Sequence, residues 1–121
     1  MNTVLIVEDG LADLATSKSY LQQAGFRVIE ATSVEQAKEK LTQMKPDAIL
    51  LDIMLPGQSG FELCKDLKDE PETKTIPVIL CSNKNTDVDK MWGEMLGADA
   101  YLTKPVNREE LITTVQKLAN V

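Results

Sequence analysis

The sequence predicts an α/β domain built on a doubly wound parallel sheet of five strands. Five short apolar runs recur along the chain, and segments with helical spacing of apolar residues lie between them. Strands that alternate with helices in this way call for right-handed crossovers, which place helices on both faces of one sheet. The chain has 121 residues, and we expect residues 1–121 to form one domain without an output domain.

Each predicted strand is a short run of β-branched or aliphatic residues. The first, third and fourth runs are almost continuously apolar, which is typical of central strands that are buried on both faces. The second run is more polar, which favours a position at an edge of the sheet. The predicted strands are 3–7, 26–31, 47–52, 77–82 and 98–103.

The predicted helices are recognised from apolar spacing and from residues that begin or end helices. Gly25 and Gly97 fall just past two of them, where a left-handed residue commonly ends a helix. Ser33 and Gln36 form a plausible capping box at the start of the second helix. The apolar positions are Leu11, Leu14 and Leu21; Val34, Ala37 and Leu41; Phe61, Cys64 and Leu67; and Leu111, Val115 and Leu118.

The composition narrows the classes of function. The formal net charge is -6 and no basic run offers a phosphate-tracking patch, so we expect no nucleic-acid partner. No stretch approaches the roughly 18 apolar residues of a membrane span, and we expect a cytoplasmic protein without a membrane partner. Histidine is absent from the chain, which removes histidine-based catalysis. We expect Cys64 and Cys81 to be reduced, buried thiols.

Polar side chains follow four of the predicted strands at the points where the strands end. Glu8 and Asp9 follow the first strand, Asp52 ends the third, Ser82 ends the fourth, and Lys104 comes just after the fifth. Because open parallel sheets bind ligands beyond the carboxyl ends of their strands, we expect these side chains at one edge. Singly, Asp9 could cap a helix, Ser82 could serve a turn, and Glu8 or Lys104 could be merely solvated. Asp52 is harder to explain, because its neighbours in "AILLDIML" are apolar.

Three clustered carboxylates call for a counter-charge. At 4–6 Å each pair repels by roughly 4 kcal/mol at an effective dielectric near 20, and a divalent cation reverses that repulsion. An all-oxygen site suits Mg²⁺ or Mn²⁺ better than zinc. A carboxylate beside such an ion can attack phosphorus and form an acyl phosphate, while an ammonium and a hydroxyl group stabilise the transferred group.

At these residues the chain resembles a receiver domain of the two-component response-regulator family, in its single-domain, CheY-like form. The resemblance runs through "VLIVEDG", "AILLDIMLPGQSGFEL", "PVILCSN" and "GADAYLTKP", in that order and at the family's spacing. It covers essentially the whole chain. It implies a flavodoxin-like fold with the strand order 2-1-3-4-5.

The resemblance also implies a role for each site residue. Asp52 would be the phosphoacceptor, and Glu8, Asp9 and Asp52 would bind Mg²⁺ or Mn²⁺ together with the backbone carbonyl of Met54. Three further roles concern the phosphoryl group: Ser82 would hydrogen-bond it, Lys104 would pair with it, and the rotamer of Tyr101 would report activation. In the family the bond between this lysine and the following Pro105 is typically cis.

The chain departs from the family pattern at several positions. Glu8 is one methylene longer than the aspartate often found there, and Asn83 stands where a small residue is more usual and would narrow access. Met54 and Lys84 occupy positions that in the family tune hydrolysis of the acyl phosphate. The segment from Cys81 to Pro105 is also similar to regulators of pilus-based, chemotaxis-like motility systems, notably at Lys84, Asp89 and Trp92.

The family switch acts on a surface made of the fourth helix, the fifth strand and the fifth helix. Tyr101 lies on that strand. By alignment with the family that the chain resembles, Gly93 and Leu96 should face the sheet, so we predict that Trp92 is partly exposed and contacts a partner, although a helical stripe ordinarily means core. The stripe consists of Val88, Met91, Trp92 and Met95.

The sequence therefore predicts a monomeric phosphoacceptor signalling protein, not an enzyme. Its phosphodonor would be a histidine kinase or a histidine phosphotransfer domain, and its output would be altered protein binding in chemotaxis- or motility-type signalling. A phosphate sink for a sister regulator and a receiver-fold binding module that is never phosphorylated remain alternatives. A flavin-binding electron carrier would need a phosphate-binding loop where "EDGLADLAT" offers carboxylates, and an aspartate-nucleophile phosphatase would need an acid at Met54.

Overall fold

A computed structural model describes residues 2–83 and 86–119. Lys84 lies outside the described residues. Strands and helices alternate strictly along the chain, as the sequence predicts, and the strand bounds differ from the predicted ones by at most two residues at either end. The elements are β1 Thr3–Val7, α1 Leu11–Gln23, β2 Arg27–Ala31, α2 Val34–Gln43, β3 Ala48–Asp52, α3 Gly60–Asp69, β4 Val78–Ser82, α4 Asp87–Met95, β5 Ala100–Thr103 and α5 Arg108–Leu118.

The five strands form one parallel sheet in the order β2-β1-β3-β4-β5, which confirms the predicted fold class and strand order. The register brings Asp52, the last residue of β3, opposite Cys81 of β4. Every residue of β3 and β4 is buried, whereas β2 and β5 at the two edges are partly exposed. The apolar runs therefore mark the central strands, since these are the strands covered on both faces.

Alternate residues of the central strands belong to two separate hydrophobic cores, one on each face of the sheet. On one face Leu5, Leu51 and Leu80 pack against α2 and α3. On the other face Ile6 and Ile79 pack against α1 and α5. Because successive strand residues point to opposite faces, Asp52 and its neighbours are fixed in orientation by the packing of both cores.

Cys64 and Cys81 are buried and free, and they belong to opposite cores. Burial raises the pKa of the Cys64 thiol to about 11 and that of the Cys81 thiol to about 12, so both groups are neutral at physiological pH. This arrangement agrees with the expectation of reduced, packed thiols. Among the described residues, no helix has the length and apolar character needed to cross a bilayer.

The helix ends follow the sequence closely. Gly25 and Gly97 adopt φ values of 94° and 95° directly after α1 and α4, in the left-handed region that a Cβ disfavours. Ser33 accepts a hydrogen bond from the Gln36 N–H, as expected of a cap. The second hydrogen bond differs from that of a standard capping box, in which the Gln36 side chain would accept from the Ser33 N–H. Gln36 Oε1 instead accepts from the N–H and the hydroxyl of Thr32, one residue earlier.

Candidate functional site

The carboxyl edge of the sheet collects the residues that the sequence singles out. Glu8 follows β1, Asp52 and Ser82 end β3 and β4, and Lys104 follows β5. Glu8, Asp52 and Ser82 are 6%, 4% and 1% exposed, although they stand where three strands meet solvent. Asp9 is exposed. Polar groups this buried need partners: Glu8 and Asp52 interact with each other and with Lys104, and Ser82 hydrogen-bonds with Tyr101.

The three acids Glu8, Asp9 and Asp52 form a cluster in which one carboxylate oxygen of each lies within 4.8 Å of the others. Asp9 does not cap α1, because the N-cap residue is Gly10 and the cap has no side-chain hydrogen bond. The interpretation of Asp9 as a simple helix cap is therefore wrong. Its carboxylate is available to the cluster.

Backbone donors hold two of these carboxylates in place. The Gly10 N–H donates to Glu8 Oε2 at 3.1 Å, and the Met54 N–H donates to Asp52 Oδ1 at 3.2 Å. The pKa of Glu8 is raised, first by desolvation and then by the neighbouring Asp52 carboxyl. A cation placed among these oxygens would remove that mutual repulsion, and a hard divalent ion suits carboxylate oxygens of this kind.

Lys104 follows the edge strand β5, and its side chain extends into the acidic cluster. Its ammonium lies 2.6 Å from Glu8 Oε1, 3.1 Å from Asp13 Oδ2 and 3.3 Å from Asp52 Oδ2, and its side chain is only 9% exposed. Burial lowers the pKa of this lysine, but the hydrogen bonds to Glu8 and Asp13 and the charge of Asp52 outweigh it and raise the pKa overall. The lysine therefore stays cationic beside Asp52. The peptide bond that follows it, to Pro105, is cis, as the resemblance implies.

Asp13 is the residue that sequence reasoning missed. It lies in the first turn of α1 and is half-exposed, so from sequence it looks like an acid that favours the helix N-terminus. Its spacing gave no signal, because Asp9 precedes the N-cap Gly10 and the two acids therefore do not share a helical turn.

Tyr101 of β5 pairs with Leu80 of β4, so Ser82, two residues further along β4, is its diagonal neighbour on the same face. Burial raises the pKa of the Tyr101 phenol, and a hydrogen bond with the Ser82 side chain partly offsets that effect. The tyrosine ring packs on the core beneath α4, where Gly93 allows close approach: a Cβ there would lie 3.5 Å from Tyr101 Cδ2. Ser82 of the site and Tyr101 beside α4 are thus joined by a hydrogen bond.

The cluster opens into a cleft of about 440 Å³. Asn83 lines this cleft, as expected of a side chain at its mouth. A cleft of about 490 Å³ between α2 and α3 lies away from the carboxyl edge, and among its charged lining residues Lys38 and Asp66 pair with each other at 3.8 Å. The lining of the 440 Å³ cleft is Glu8, Asp9, Gly10, Asp13, Asp52, Met54, Leu55, Pro56, Asn83 and Lys104.

The outer side of α4 is apolar and exposed, as predicted for Trp92. The buried residue of the helix is Gly93, which packs against Leu80. The stripe therefore points away from the sheet. The exposed fractions are 68% for Val88, 55% for Met91, 50% for Trp92 and 71% for Met95.

Parallel strands in this order with an acidic cluster and a lysine at the carboxyl edge define a receiver domain. The response regulator receiver domain family matches residues 4–116, and the chain belongs to that family. It is 37% identical over 115 residues to the protein PilH of Pseudomonas aeruginosa, with 95% of each chain covered. It is also 40% identical to the phosphate regulon regulator PhoB of the same organism, but spans 50% of that protein's length.

Solved structures agree with this assignment. A response regulator from Chloroflexus aurantiacus superposes with a TM-score of 0.94 at 33% identity, covering 99% of this chain and 98% of that one. The chemotaxis response regulator CheY4 of Vibrio cholerae gives 0.90 at 30% identity, with 98% of each chain covered. The receiver domain of the sensor histidine kinase PA1611 of Pseudomonas aeruginosa, which holds a magnesium ion in its active-site cleft, gives 0.89 at 25% identity and covers 99% and 98%.

Proposed function

We propose that this receiver domain accepts a phosphoryl group on Asp52 from a phosphohistidine of a kinase or phosphotransfer partner. The observation that carries the proposal is the position of the Asp52 carboxylate, which lies within 3.3 Å of the Lys104 ammonium inside a cluster of acids. The acids supply oxygen ligands, the lysine supplies a fixed positive charge, and the carboxylate supplies the nucleophile.

The proposed reaction transfers one phosphoryl group between two side chains. An oxygen of Asp52 attacks phosphorus, the P–N bond to the donor imidazole breaks, and the electron pair of that bond stays on the imidazole nitrogen, which then takes a proton. The product is an acyl phosphate. Asp52 gains negative charge in this step, and Lys104 is already placed to compensate for it.

Mg²⁺ fits the residues present, and Mn²⁺ would fit the same donors. Glu8, Asp9 and Asp52 would hold the ion with the backbone carbonyl of Met54, since these are hard oxygen donors. When bound, the ion neutralises charge that develops on the transferred group. The Gly10 N–H fixes one oxygen of Glu8, which compensates in part for the extra methylene of that side chain.

We propose that Ser82 and Tyr101 convert the phosphate into a change of surface. Ser82 would turn to donate its hydroxyl to a phosphoryl oxygen, and Tyr101 would occupy the space that it leaves. Because the ring of Tyr101 packs beside Gly93, this movement would bias the position of α4. The output would be altered binding of a protein partner in chemotaxis- or motility-type signalling, which the similarity to the chemotaxis response regulator CheY4 supports.

The partner surface that we propose is the outer stripe of α4, with Trp92 at its centre and Tyr101 beside it. Large exposed aromatic side chains commonly anchor protein interfaces. Acidic residues Asp87, Asp89 and Glu94 outnumber the one basic residue, Lys90, on the same helix, so the complementary partner segment would be apolar with basic flanks.

The proposed function is tested by intact-mass spectrometry of the wild-type protein with a small phosphoramidate donor. We expect one phosphoryl adduct in the presence of Mg²⁺ and none when the ion is chelated. A protein that gains no adduct from this donor or from a phosphorylated histidine phosphotransfer domain would be a binding module instead.

Quenching of Trp92 fluorescence tests the coupling between the site and α4. Trp92 is the single tryptophan of the chain and is half-exposed, so acrylamide should quench it readily. We expect phosphorylation to change the quenching constant, because the movement of Tyr101 shifts α4. The matched control is Asp69→Asn, an exposed position remote from the site, which should behave as wild type. Identical quenching before and after phosphorylation would rule out this coupling.

A further inference from the structure

The ammonium of Lys104 has three N–H donors, and three carboxylates accept them. Two acceptors, Glu8 and Asp52, belong to the acidic cluster already described. The third is Asp13, whose Oδ2 lies 3.1 Å from Lys104 Nζ. Unlike the lysine, which is 9% exposed, the Asp13 side chain is 55% exposed.

The start of α1 brings Asp13 to this position. The helix begins immediately after Gly10, and Asp13 in its first turn lies close to that glycine. An added Cβ at Gly10 would meet Glu8 Oε2 at 3.4 Å and Asp13 Oδ2 at 3.7 Å, so the two acids converge on the same point. A favourable interaction with the helix dipole explains an acid in this turn, but it does not explain an acid that reaches Lys104 across the cleft.

We propose that Asp13 is a positioning residue for Lys104, a role that rests on the proposed phosphoryl transfer to Asp52. Asp13 and Glu8 hold two of the three N–H groups of the ammonium from the α1 side. The third N–H is thereby directed at Asp52 Oδ2, where the phosphoryl oxygens of the product would lie. Lys104 can then transfer one hydrogen bond to the phosphoryl group while it keeps the other two.

This role concerns orientation more than stability. An ion pair with a half-exposed partner typically contributes about 0–1 kcal/mol, because solvent screens it and two side chains must be ordered. A lysine side chain has four rotatable bonds, however, and a small displacement of a catalytic group can reduce a rate by up to about 100-fold. Loss of Asp13 should therefore reduce phosphorylation more than it reduces folding.

A double-mutant cycle tests the proposal. We expect Asp13→Ala to slow adduct formation with the small donor by roughly tenfold, and to have no further effect in the Lys104→Ala background. Glu35→Ala is the matched control, because Glu35 is an exposed acid in the first turn of α2. A purely electrostatic effect of Asp13 on an anionic donor would instead raise the rate, equally in both backgrounds, and would overturn the proposal.

A second measurement does not depend on phosphorylation. The ¹⁵N resonance of the Lys104 ammonium should be observable in the wild type and in Glu35→Ala, since three acceptors slow its proton exchange. We expect that resonance to broaden or vanish in Asp13→Ala. If the wild type takes up no phosphoryl group, the proposed function fails while this measurement still decides whether Asp13 orders Lys104. An unchanged resonance in Asp13→Ala would refute the positioning role whatever the phosphorylation result.

Discussion

Asp52→Asn is expected to abolish the phosphoryl adduct and to leave the folded structure intact. The amide oxygen of asparagine is a far weaker nucleophile than a carboxylate, and no second carboxylate takes the place of Asp52 at the end of β3. Glu8 and Asp9 follow the neighbouring strand β1, and their carboxylates lie beside that of Asp52. Intact-mass spectrometry with Mg²⁺ and the phosphoramidate donor measures the loss directly.

The fold should tolerate this substitution because the two side chains have the same shape. Asparagine keeps an oxygen that can accept the Met54 N–H, which now donates to Asp52 Oδ1, and Lys104, which loses the Oδ2 acceptor, keeps Glu8 and Asp13. Removing the charge of Asp52 also removes one cause of the raised pKa of Glu8. We therefore expect the free energy of unfolding to change by less than about 1 kcal/mol, measured by urea titration.

The linked pH dependence has a definite sign. The pKa of Glu8 is raised in the folded state, so the contribution of Glu8 to stability is greatest below its unfolded value near 4.5 and is lost as pH rises through the folded value. Asp52→Asn should reduce this loss.

Asp69→Asn serves as the matched control, and a phosphoryl adduct at full yield on Asp52→Asn would place the acceptor elsewhere.

The fold was predictable from sequence because hydrophobic pattern and chain direction determine most of it. The almost continuous apolar runs are typical of strands covered on both faces, and β3 and β4 are buried throughout. The strand order was not derivable in this way. Several orders satisfy the crossover rule, and the order 2-1-3-4-5 came from the family resemblance.

The parts of the site that belong to strand ends were predictable, because strand direction alone places them at one edge. Asp13 and Leu11 were not. Both lie in the first turn of α1, beyond the end of the sheet, where apolar or acidic spacing no longer reports which side is buried. Leu11 continues the helical stripe of Leu14 and Leu21, yet as the first residue of α1 it is 75% exposed.

The outer stripe of α4 shows how one glycine can reverse which face of a helix is buried. Four large apolar residues on one face ordinarily predict a buried face. Here Gly93 forms the buried contact, so that the helix lies close to the sheet through its backbone and the large side chains point outward. The family alignment of Gly93 supplied that information, and periodicity alone would have given the opposite answer.

Gly60→Ala is expected to destabilise the fold by at least about 3 kcal/mol, the upper part of the range for overpacking. Gly60 is the first residue of α3, and an added Cβ would lie 2.2 Å from the backbone oxygen of Asp52 and 2.7 Å from Ile53 Cα. These neighbours are main-chain atoms at the buried end of β3. The Gly60 N–H also donates to the Ile53 oxygen at 2.7 Å, so helix and strand cannot separate without losing that bond.

Helix propensity predicts the opposite sign, since alanine is better than glycine inside a helix by about 1 kcal/mol. The measured change in unfolding free energy therefore decides between local propensity and close packing. Gly25→Ala is the control: its Cβ would meet nothing within 4 Å, and only the φ of 94° opposes it, at about 1–2 kcal/mol. If Gly60→Ala were as stable as wild type, α3 would be free to shift against β3. The end of that strand would then not hold Asp52 in a fixed position.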